Sequence, residues 1–164
     1  MKRFLYLSAA LILGGLCACS TGNTATTEDP MADTSVPQNE KVMNSFVSIF
    51  EIPATDISRA IHFYETILDL KIEAMEFPGI EMGLFPYEDQ MVTGVIMKGE
   101  GYHPSAEGAV IYLNGGDNLQ VVLDKVEANG GTVLVPKTPH ADEVGFFALF
   151  LDSEGNRLGL HSPN

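Results

Sequence analysis

DISRAIHFYETILDL, residues 56–70, sets Ile57, Ala60, Ile61 and Tyr64 at steps of three, one and three. That spacing lines apolar side chains along one face of a helix. DNLQVVLDKVEANGG, residues 117–131, repeats it 62 positions later with Leu119, Val122, Leu123 and Val126. Asp56 and Asp117 stand where N-caps stand, and Gly130-Gly131 supplies a stop for the second helix. A strand is expected before each helix, Phe46–Ile52 before the first and one opening at Gly108 before the second. Three more follow each helix. They are Lys71–Phe77, Ile80–Phe85 and Val92–Lys98, then Thr132–Pro136, Gly145–Leu151 and Asn156–His161. Turn signals at Pro78-Gly79, Pro86–Asp89 and Ser153–Asn156 separate them. The chain is therefore read as α+β, two βαβββ modules. One module alone leaves a sheet face bare, so the two must pack or close on each other.

The 164 residues suffice for one domain, and 45% hydrophobic with 19% charged content supports a packed core. Lys2-Arg3, the apolar run Phe4–Leu16 and small residues after it make a secretory signal, too short to cross a membrane as a helix. Leu16-Cys17-Ala18-Cys19 resembles the lipobox of bacterial lipoproteins, which implies cleavage before Cys19 and its lipidation; the alternative is an ordinary signal cut near Ala18. Residues 1–18 are thus assigned to the signal peptide. Residues 19–44, rich in Thr, Asn, Asp, Glu, Pro and Ala, form a lipidated cysteine and tether that cannot offset its ordering entropy. The domain spans 45–164. The expected location is the bacterial cell envelope, lipid-anchored on the periplasmic side or outer surface. Past Cys19 no cysteine remains, which excludes a disulfide and a catalytic thiol from the domain. Losing Lys2 and Arg3 takes the net charge from −13 to −15, a surface that repels nucleic acid.

FEIPATDISRAIHFYETILDLKI (50–72), VEANGGTVLVPKTP (126–139) and GFFALFLDSEGNRLGLHSP (145–163) resemble the vicinal-oxygen-chelate superfamily. It includes glyoxalases, bleomycin-resistance proteins and extradiol dioxygenases. The resemblance covers about residues 46–162. It implies paired modules forming a cleft-shaped mixed sheet with helices on the outside, and commonly a homodimer. In metal-using members four His or Glu side chains, one on each of four strands, hold a divalent ion. Counted from the shared motifs, those positions are Ile49, Met97, Gly108 and Gly159. None suits zinc, nickel, manganese or iron. No metal and no cofactor are expected.

Strand alternation places Val47 and Glu51 beside Ile49, Val110 and Tyr112 beside Gly108, and Arg157 and His161 beside Gly159. The expected ligand-binding residues are Ile49, Met97, Val110, Tyr112 and Arg157, an apolar centre with polar ends. Glu51 and His161 can serve as a catalytic acid–base pair; the plainer reading is a Glu51–Arg157 ion pair with His161 hydrogen-bonded at a strand end. His62 reads as a solvated helix residue, and His103 and His140 fall in loops. His140 with Asp142 and Glu143 reads more simply as a solvated turn than as a metal site. Motifs for phosphate loops, serine elbows and zinc helices are absent.

Three functions follow. The first is a metal-free, envelope-anchored domain binding a small, partly apolar molecule in its cleft, as bleomycin-resistance proteins do. The second is a lyase, isomerase or dioxygenase related to lactoylglutathione lyase, metal-dependent with displaced ligands or metal-free through Glu51 and His161. The third is a structural envelope protein.

Overall fold

Asp56 starts the first helix as its position requires. Its backbone is extended (φ −129°, ψ 103°), and its Oδ1 accepts the Arg59 N–H at 3.0 Å. This satisfies one of the donors that a helix start leaves open. The computed structural model describes residues 45–141 and 143–164. The expected signal peptide, Cys19, the tether to residue 44 and Asp142 lie outside the described residues.

The first module comprises β1 (Ile49–Pro53), α1 (Ile57–Leu68), β2 (Glu73–Phe77), β3 (Ile80–Leu84) and β4 (Thr93–Gly99). The second comprises β5 (Tyr112–Asn114), α2 (Gln120–Val126) with a 3-10 turn at Glu127–Asn129, β6 (Thr132–Pro139), β7 (Phe146–Leu151) and β8 (Arg157–Ser162). Each module builds its own four-stranded sheet, in order β1-β4-β3-β2 and β5-β8-β7-β6. The first strand of each runs parallel to the last, and the other pairings are antiparallel. The α+β architecture of two βαβββ modules is as the repeat requires.

Three expectations need correction. Asp117 does not cap α2; Asn118 does the nearest equivalent work, its Oδ1 accepting the Gln120 N–H at 3.1 Å. Asn118, not Asp117, lies 62 positions after Asp56, so the helix repeat itself selects it. Gly108 lies outside β5, in the preceding loop with φ +101°. β6 continues past Pro136 to Pro139 through two register shifts. As the edge strand of its sheet it tolerates prolines, which lack the ladder donor.

Each sheet packs one face on the helices. Ala60, Phe63, Tyr64 and Ile67 of α1, Val122, Leu123 and Val126 of α2, and Ile96, Phe150, Leu158 and Leu160 from the strands belong to one buried cluster. Phe63 meets Tyr64 edge-on at 5.1 Å between centroids and lies 6.3 Å from Phe150 of the other module. No strand of one sheet pairs with a strand of the other.

Polar groups of the Asp152–Asn156 turn bind the modules together. The buried Asp152 accepts from Tyr64 Oη (2.6 Å), from Asn156 Nδ2 (2.8 Å) and from the backbone N–H groups of Glu154 and Asn156. Asn156 Nδ2 also donates to Pro53 O, and its Oδ1 accepts Ser105 N–H. Burial, then the charge of Asp152, raises the Tyr64 phenol well above its ordinary value, so it remains a donor. Glu154 reaches the start of α1. It accepts from the N–H groups of Thr55 and Asp56, from Thr55 Oγ1, and from Arg59 Nε at 2.7 Å and Nη2 at 3.0 Å. Burial alone would raise this carboxyl, but those donors outweigh it and lower its pKa from 4.5 to about 2.

A carboxylate depressed in the folded chain stabilises it fully above its unfolded pKa and loses that contribution as pH falls through the folded value. Glu154→Ala is therefore expected to cost about 2–3 kcal/mol at neutral pH. Its melting temperature should converge on that of the wild type between pH 4.5 and 2. Thermal melts at pH 7, 4 and 2.5 check this; a gap that persists unchanged at pH 2.5 contradicts it.

Candidate functional site

The parallel strand pairs make the two modules superimposable residue by residue. Glu51 pairs with Val95 in the first, and Tyr112 with Gly159 in the second. Just beyond, Ala54 N–H donates to Met97 O and Gly115 N–H to His161 O, both at 2.8 Å. Val95 is thus the counterpart of Gly159, and Met97 of His161. Counting back along β1 and its partner strand makes Val110 the counterpart of Ile49. The four positions related by the repeat are Ile49, Val95, Val110 and Gly159. Met97 stays on the same face two residues on, and Gly108 drops out.

The correction leaves the chemistry unchanged. Isoleucine, two valines and a glycine offer no nitrogen, oxygen or thiolate to a divalent ion. Among the described residues no group of three or more His, Cys, Asp and Glu is placed to hold a metal. A divalent metal at the equivalent positions does not fit this chain.

The helix-averted face of the first sheet is apolar across its middle, with Glu51 and Glu73 on its outer strands. Met75, Met82 and Met97 lie opposite one another across β2, β3 and β4. Met75 and Met82 are half-buried and Met97 is buried. Ile49, at the sheet's edge, is 63% exposed. On the second sheet the Tyr112 ring lies directly over Gly159, in the space that a Cβ there would enter. Tyr112 itself is 48% exposed.

The expected polar residues do not form the expected pairs. The carboxylate of Glu51 accepts from Tyr102 Oη at 3.3 Å. Desolvation and then the Glu51 charge raise the Tyr102 phenol above its ordinary value. His161 lies with its ring 5.3 Å from that of His140, which in turn sits 5.0 Å from Phe147. No hydrogen bond or ion pair joins Glu51 to His161, or Glu51 to Arg157, among the described residues. Arg157 Nη2 donates to Gly108 O at 3.3 Å, while its buried Nε has no partner among the described residues. Glu51 and Arg157 do share a small polar hollow of about 150 Å³, with His103, Glu107 and Asn156. His62 is exposed on α1, as expected.

A second hollow, of about 950 Å³, lies between the modules. Val110 and Tyr112 line it, together with Phe50, Leu68, Leu70 and Phe85. Those last four were not expected. Nothing in strand or helix periodicity says that a core-facing residue will meet a gap between two modules.

The fold defines a class, that of proteins built from two paired βαβββ modules. The chain belongs to the Glyoxalase/Bleomycin resistance protein/Dioxygenase superfamily, whose model matches residues 46–160. It is 33% identical over 120 residues to a glyoxylase-like domain-containing protein of Didymella fabae, covering 70% of this chain and 91% of that protein. TnmS3, an antibiotic binding protein from Streptomyces sp. CB03234, superimposes with a TM-score of 0.56 at 20% identity, over 73% of this chain and 97% of that one. A glyoxalase I variant from Zea mays gives 0.58 at 20% identity over 71% of this chain. The match spans 45% of the maize chain.

A side chain at residue 159 must displace the Tyr112 ring. Gly159→Ala is expected to destabilise the domain by about 1–3 kcal/mol and to change tyrosine fluorescence, which no tryptophan obscures in this chain. Melting curves read on that emission check it; an unshifted melt contradicts it.

Proposed function

We propose that this protein is a metal-free binding module, anchored to the bacterial envelope through lipidated Cys19. Two copies together enclose a small, partly apolar molecule between open sheet faces. The observation that carries this reading is the chemistry of Ile49, Val95, Val110 and Gly159, which the strand register relates and which offer hydrocarbon or bare backbone where the resemblance implies metal ligands. The homodimer is supported by the exposure of large side chains on the open faces. Ile49 and Tyr112 remain largely exposed there, so a second copy supplies the facing wall. The anchor is supported by the Leu16–Cys19 sequence and its preceding apolar run. Sequestration requires shape and burial but no catalytic group, and the Glu51–His161 pair that an acid–base mechanism would use is not formed within the chain.

Zinc, nickel, manganese or iron at micromolar concentration is expected to leave the melting temperature unchanged. A rise of several degrees with any of them contradicts the metal-free reading. Light scattering is expected to give twice the chain mass, with Ile49→Lys reducing it to the chain mass by placing a charge in the shared face. A monomeric wild type contradicts the paired cleft.

A further inference from the structure

The cavity between the modules is of a different kind from the open sheet faces. Its walls include Phe50 and Phe85, whose rings stand 6.1 Å apart, and the helix-facing side chains Leu68, Leu70, Leu113 and Val122. These are core-side residues, yet Phe50, Leu68 and Leu70 are only partly buried because the packing stops at this hollow. Val47 and Tyr112 in its wall are about half exposed, so this hollow of about 950 Å³ is a groove open to solvent that reaches down to the core. Gly94 helps keep its shape: a Cβ there would fall 2.5 Å from Phe50 Cζ and 3.0 Å from Phe85 Cδ2. Any side chain at 94 would push the aromatic wall aside.

Charge narrows the occupant. The chain has 22 acidic residues, yet among the described residues no charged side chain lines this cavity. Its polar groups are neutral, chiefly Ser45, Gln90, Asn114 and Tyr112. The smaller hollow is the reverse, with Glu51, Glu107 and Arg157 in its wall. An ion entering the larger cavity would lose its hydration without gaining a counter-charge. A neutral molecule of drug-like size has both the room and the matching surface.

We propose that this intermodule cavity binds one neutral, apolar small molecule per chain, reaching from Tyr112 at its mouth to the core-side residues Leu68, Leu70 and Val122. Val110 and Tyr112 border both this cavity and the paired cleft, but the metal and mass measurements above do not depend on the cavity being filled.

The test is a titration of the purified protein with N-phenyl-1-naphthylamine, a neutral apolar fluorophore, beside Val122→Phe, which fills the cavity from α2. Wild type is expected to bind saturably with one probe per chain. The variant should bind at least about tenfold more weakly, since the added ring occupies the probe's space. Anilinonaphthalene sulfonate, the anionic counterpart, should not compete. Methyl NMR of the wild type locates the probe without any substitution, and the expected perturbations fall on Leu68, Leu70, Leu113 and Val122. Equal affinity in the variant, perturbation centred on Ile49 and Val95, or no saturable binding because a second copy covers the cavity would each overturn the proposal. Should Val122→Phe fail to fold, the methyl map decides alone.

Discussion

Asp152 brings a carboxylate into the interior, and the arrangement of the two modules depends on how that charge is satisfied. Its four hydrogen bonds come from its own turn and from Tyr64 of the opposite module. A buried carboxylate left without such donors would cost several kcal/mol or take up a proton. The bond from Tyr64 requires α1 to lie against the second module, and that placement brings Phe63 near Phe150 and Glu154 onto the first residues of α1. Apolar area supplies most of the burial, whereas the turn determines which of the many apolar contacts can occur together.

That arrangement governs what each surface can do. With the modules joined through helices and turn, each sheet keeps its second face clear of the helices, and β1 and β5 do not pair with each other. The chain therefore carries two unlike recesses. One is small, with Glu51, Glu107 and Arg157 in its wall near the Ser105 loop; the other is large, and among the described residues its lining is uncharged. Ile49, Val95, Val110 and Gly159, which the strand register relates, carry no side-chain donor atoms, and the proposed binding role builds on that chemistry.

Much of the fold was legible in the sequence. The repeated helix spacing and the strand alternation reflect periodicities of 3.6 and 2 that any amphipathic element must show. Boundaries were legible only where a cap or turn has one chemical solution. Asp56 is alone in its role, whereas Asp117 and Asn118 are adjacent and equally able to cap, and the 62-residue repeat is what separates them. The site was less legible. Placing Gly108 on a strand depended on the length of a loop that carries no periodicity, and the error passed to its neighbours. Val95 and Met97 share a face, so alternation cannot choose between them, whereas the parallel register can. The cavity left no trace in the sequence, since Phe50 and Leu68 read as ordinary core residues until two modules are set side by side. The partners of Asp152 and Glu154 lie 88 to 99 residues away and were equally out of reach.

The row of Met75, Met82 and Met97 makes the first sheet's free face sensitive to oxidants. Oxygen added to one of these sulfurs creates a chiral, polar sulfoxide where an unbranched thioether had filled space, and specific reductases can undo the change. Met75 and Met82 are the accessible members, with Met97 shielded behind them. Damage would thus begin at the outer strands and work inward, altering the wettability of this wall well before it reached the aromatic core around Phe63.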